Sequence, residues 1–116
     1  MPMLIYLIKP TKVWSYEAFA EHFFKTLNVP FEERDSANVP EGSYFSGLYQ
    51  GIHFDVTMGD FTDFEDMPYT ISAKTYKASD ETIVDEFLRK EFVERGYKLI
   101  KYMPNKPEED AWLEFK

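Results

Sequence analysis

A chain of 116 residues with net charge −8 and a sequence pI near 4.7 is sized for a single domain, residues 1–116, with one hydrophobic core. That acidity disfavours direct nucleic-acid binding, because affinity for phosphates comes mainly from Lys and Arg. With no cysteine, neither a disulfide framework nor a thiolate zinc site is possible.

The first element is Met3–Ile8, a continuous apolar run of strand length that suggests a central strand. It lacks a basic leader and is too short for a signal-peptide core or a membrane span, so the default expectation is a cytoplasmic protein without membrane contact. "SYEAFAEHFFKTLN" follows as a helix. Ser15 is its N-cap, Phe19, Ala20, Phe23, Phe24 and Leu27 form its apolar stripe, and Asn28 with Pro30 ends it. His22 falls on the polar face beside Glu21 and Lys25, which predicts a solvated side chain.

Residues 31–43 are polar and read as a strand edge running into a loop. "SYFSGLYQGIHFDVTMG" predicts a hairpin turning near Gln50–Gly51, and in its second arm Ile52, Phe54, Val56 and Met58 alternate with His53, Asp55 and Thr57. "GDFTDFEDMP" is a loop, and "YTISAKTYK" the next strand. Ser79 is expected to cap a second helix, "DETIVDEFLRKEFVER", with Ile83, Val84, Phe87, Leu88 and Phe92 facing inward and Gly96 stopping it. "YKLIKYMP" and "AWLEFK" close the chain as short strands. The order β-α-β-β-β-α-β-β predicts an α+β fold, a mainly antiparallel sheet with two helices packed on one face. A ferredoxin-like sandwich with an added hairpin is the alternative. Helices on one face only would leave the other available to a homodimer.

Charge is unevenly placed. Residues 31–68 hold nine acids against Arg34 and so carry the whole −8, while residues 1–30 sum to +1 and residues 69–116 to −1. Within the middle third, residues 59–68 set Phe61 and Phe64 among Asp60, Asp63, Glu65 and Asp66 with no cation. A calcium loop would need alternating ligands and a central glycine, which this spacing lacks. A plain solvated loop would have to tuck both rings under itself into the core. A contact surface uses both features: rings supply buried area, and carboxylates steer a basic partner. Glu32, Glu33 and Asp35 would enlarge the same field if their strand lies close.

No nucleophile elbow and no phosphate-cradling glycine loop is present, and Gly42, Gly47 and Gly51 read as hairpin and bulge glycines. His53 and Asp55, two apart on one strand, point the same way. They are either a surface cross-strand pair, near Lys74, or a pair that binds a metal or orients a general base.

In size, acidity, lack of cysteine and mixed α+β pattern, and over "SANVPEGSYFSGLYQGIHFDV", the chain resembles the small immunity proteins that bacteria make against secreted nuclease-type toxins. That resemblance implies an inhibitor that blocks the toxin's substrate cleft, with Asp60, Asp63, Glu65 and Asp66 in place of phosphates and Phe61 and Phe64 as anchors. The expected function is therefore a non-catalytic module that binds a basic protein, needing no cofactor, metal or catalytic residue. The alternative is a small enzyme or small-molecule binder with a pocket between sheet and helices, built from Tyr44, His53, Asp55 and Tyr76.

Overall fold

The computed structural model describes residues 3–12, 14–35, 43–58, 67–103, 106–107 and 111–115. Seven strands and two helices follow in the order β1 (Met3–Lys9), α1 (Tyr16–Leu27), β2 (Phe31–Asp35), β3 (Ser43–Tyr49), β4 (Ile52–Met58), β5 (Tyr69–Lys74), α2 (Ala78–Glu91), β6 (Lys98–Tyr102) and β7 (Trp112–Phe115). They form one antiparallel sheet ordered β2-β3-β4-β5-β1-β6-β7. The fold is α+β, as the pattern of elements predicts. The polar segment after α1 contributes a strand of its own, and that strand is an edge.

β1 is central because it is apolar in both directions. Leu4, Tyr6 and Ile8 face the helices and join Phe54, Val56, Ile71 and Ala73 from β4 and β5 in the main core. Phe19, Phe23, Phe24 and Leu27 of α1, and Val84 and Leu88 of α2, close over them. On the other face Leu7 is fully buried in a smaller cluster with Met67, Ile100 and the flank of Trp112. A strand buried on both faces reads as an unbroken apolar run, whereas β4, wet on one face, alternates.

Local chemistry sets the ends of α1. The Ser15 side chain accepts the Ala18 N–H at 3.2 Å. At the other end Asn28 takes a left-handed conformation (φ 59°), and the N–H groups of Asn28 and Val29 return to Lys25 and Phe24. The hairpin turns as expected at Gln50 (φ 49°) and Gly51 (φ 79°), the paired positive values of a tight two-residue connection.

The second helix differs from its prediction in three ways. Ser79 lies inside the first turn and Lys77 is the N-cap, because the buried Asp80 carboxylate reaches back to accept the N–H groups of Tyr76 and Lys77, both at 3.1 Å. The helix stops at Glu91, and a 3-10 turn over Val93–Arg95 carries the chain to Gly96 (φ 96°). Ile83 is exposed, so Val84, Leu88 and Phe92 form the buried stripe, with Phe87 packed partly against it. The position expected for Ile83 is replaced by acids: Glu81 and Asp85 turn toward the sheet.

Candidate functional site

β2 is the outer strand on one side, and all five of its residues are exposed. Its inner edge pairs with β3, from Phe31 opposite Gly47 to Asp35 opposite Ser43. Among the described residues its outer edge has no backbone partner. Phe31 anchors the strand by stacking on Phe24, with ring centroids 5.2 Å apart. That stack forces a glycine on β3: a Cβ at Gly47 would lie 2.7 Å from the Phe24 ring. Since side chains alternate along a strand, Glu33 and Asp35 share the helix-side face with Phe31, and Glu32 and Arg34 share the opposite face. Glu32 and Arg34 pair with each other. Arg34, the one base of the middle third, is thereby spent locally, and no ion pair joins Glu33 or Asp35 to another described residue.

The remaining residues singled out for partner binding, Asp60, Phe61, Asp63, Phe64, Glu65 and Asp66, lie outside the described residues. The strands they connect are described. Met58 of β4 pairs with Tyr69 of β5, at the end of the sheet where β2 finishes at Asp35 and β3 begins at Ser43. β2 is two strands from β4, or about 10 Å at ordinary strand spacing. The described strand ends that flank residues 59–66 thus lie at the same end of the sheet as Asp35.

Next to β2, on the face without helices, is a groove of about 360 Å³ lined by Pro30, Phe31, Glu32, Arg34, Ser46, Gly47, Leu48 and His53. Its floor is polar. His53 Nε2 sits 2.7 Å from Ser46 Oγ and 3.0 Å from Asp55 Oδ1. These three residue types suggest a catalytic triad, but the geometry is not one. A triad puts the nucleophile on one ring nitrogen and the carboxylate on the other. Here both face Nε2. A proton on Nε2 suits the Asp55 carboxylate, and that same proton prevents Nε2 from accepting the hydrogen of Ser46. The cluster therefore holds a ring in place.

This location corrects the pocket expected between sheet and helices. His53 and Asp55 belong to the helix-free face, since their neighbours Phe54 and Val56 fill the core. Tyr44 lies at the Asp35 end, opposite Arg34, whereas the exposed Tyr76 follows β5 beyond Lys74 at the far end. The four residues do not converge. Lys74 is the register partner of His53, as the surface-pair reading has it.

His22 is also corrected. It stacks on Trp14 with centroids 4.9 Å apart, meets the Tyr97 hydroxyl through Nε2 at 3.2 Å and touches the edge of Phe92. Burial, with Lys12 and Arg95 nearby, holds its imidazole below its ordinary range. The polar neighbours Glu21 and Lys25 conceal these contacts from sequence inspection, because the partners come from outside α1.

One constellation escapes sequence reading altogether. Lys101 of β6, opposite Tyr6, is buried on the helix side of the sheet, where its ammonium pairs with Glu81 and with Asp85 (2.9 Å). The Tyr6 hydroxyl donates to the same Asp85 at 2.5 Å. Burial, then the Asp85 hydrogen bond and the charges of Asp85 and Glu81, push the Tyr6 phenol far above its usual value, so it stays a donor. The only signals were a lysine at an inward position of "KLIKY" and two acids four apart on α2.

Among the described residues no group of three His, Asp or Glu side chains converges as a metal site, and no helix is long and apolar enough to cross a membrane. No family model matches the chain, and no curated protein matches its sequence.

Proposed function

We propose that this chain is a non-catalytic acidic module that binds and inhibits a basic protein, in the manner of a cytoplasmic immunity protein against a nuclease-type toxin. One observation carries the reading. An exposed edge strand presents Glu33 and Asp35, which have no cationic partner among the described residues, at the end of the sheet where β4 finishes at Met58 and the sequence continues into its most acidic stretch. Carboxylates in that position attract cations over a Debye length and reject acidic surfaces. In a nuclease cleft they would occupy the positions of substrate phosphates and leave the toxin without a substrate site.

The test begins with a two-hybrid screen of the host's own genomic library, followed by stopped-flow association of any captured partner with wild type and with Glu33→Lys/Asp35→Lys. The expected partner is net basic. Its association rate falls with added salt, and falls with less salt dependence in the double variant. A captured partner that is neutral or acidic, or an association rate indifferent to both salt and charge reversal, refutes the reading.

The groove beside His53 favours a second reading, a small-molecule binder. A fragment screen by NMR discriminates the two: saturable shifts at Ser46, Leu48 and His53 with a small ligand, and none elsewhere, would support it.

A further inference from the structure

The edge strand and the groove lie side by side, and together they describe how a partner would be held. We infer that β2 is a docking strand: a basic extended segment of the partner adds to the sheet as an eighth strand along the outer edge of Phe31–Asp35. This rests on the proposed function and specifies its mode of contact.

A free sheet edge offers a row of backbone donors and acceptors to any extended chain. The charges on β2 decide which chain. A second copy of this protein is a poor occupant. In the symmetric antiparallel pairing that sets Glu32 against Arg34 of the other copy, Glu33 meets its own counterpart on the axis, and two molecules of charge −8 approach each other. A basic segment meets no such obstacle. Glu33 and Asp35 stand about 7 Å apart on the helix-side rim, the spacing of two residues along a strand. They match cations at alternate positions of the incoming segment. The residue opposite Glu32 falls on the other face, beside the groove, where Pro30 and Leu48 give an apolar wall over the Ser46–His53 floor. Leu48 is 60% exposed, a large apolar side chain on a strand face with nothing described covering it. The predicted recognition element is an apolar residue followed by a cation, any residue and a second cation, or the reverse order for the opposite strand direction.

The probes are three labelled decapeptides: one centred on Val-Lys-Thr-Arg, one of identical composition with the central residues scrambled, and one N-methylated at alternate residues to block strand pairing. Binding is followed by fluorescence anisotropy, and its location by amide shifts and hydrogen exchange in the protein. The patterned peptide should bind saturably, shift and protect amides within residues 31–35, and shift the Leu48 and His53 signals. The scrambled and N-methylated peptides should bind about tenfold more weakly, as should the patterned peptide to Glu33→Lys/Asp35→Lys. Equal binding of all three peptides, shifts centred elsewhere, or no binding would overturn strand addition. Equal binding that Glu33→Lys/Asp35→Lys still weakens would leave the acidic-module reading standing, and so would failure of every peptide alongside a basic partner from the genomic screen.

Discussion

Replacing Lys101 by Met should be among the most damaging single changes available on the sheet, although the side chain touches no part of the candidate site. Its side chain is 4% exposed, and its ammonium sits between the side chains of Asp85, 28% exposed, and Glu81, 48% exposed. Methionine fits the space but leaves Asp85 with only the Tyr6 hydroxyl as a described partner. Removing one member of a buried pair costs about 3–5 kcal/mol, and the partial hydration open to both carboxylates argues for the lower end, about 3 kcal/mol. The cost should then follow exposure. Asp85→Asn, which keeps the shape and loses the charge, should cost about 1–2 kcal/mol. Glu81→Gln should cost about 0.5 kcal/mol, as a half-exposed ion pair does. Urea unfolding monitored by circular dichroism gives the ranking directly, provided the m-values stay constant. Glu81→Gln costing as much as Lys101→Met would refute the reasoning. So would a Lys101→Met protein within about 0.5 kcal/mol of wild type, the range of an ordinary surface change.

Three further outcomes follow from other parts of the fold. Gly47→Ala should destabilise by about 1–3 kcal/mol, since its Cβ would lie 2.7 Å from Phe24 and 3.0 Å from the Pro30 carbonyl; thermal unfolding measures it, and a neutral variant would mean the Phe24–Phe31 stack yields freely. His22 should make the protein less stable as pH falls below 6.5, because its depressed native affinity for protons lets the unfolded chain bind one first. That stability is intact above pH 6.5 and is lost as pH falls through the lowered native value; in His22→Gln the slope between pH 6.5 and 5 should flatten in urea titrations. Asp80→Ala should cost about 1 kcal/mol and fray the start of α2 in hydrogen exchange, whereas Ser79→Ala should cost much less, reversing the order that the sequence alone suggests.

Elements whose cause is local are legible in the amino-acid sequence. Ser15 and Asn28 bound α1 through contacts three or four residues away, Gln50–Gly51 turns the hairpin by its own backbone, and the alternation over Ile52–Met58 marks a half-wet strand. A cap, a turn and a periodic stripe each act within one or two turns of chain, so composition at that range suffices to reveal them. The concentration of acid in residues 31–68 is likewise a property of the sequence. What tertiary structure alone decided is where those charges stand and what they meet. It put β2 at the edge, the His53–Asp55 pair on the face without helices, and His22 against Trp14 and Tyr97. It also joined Tyr6 to Asp85 across 79 positions of chain. Strand order and helix placement minimise exposed apolar area over the whole molecule. The polar contacts that result therefore depend on neighbours supplied from afar, which no short stretch of residues specifies.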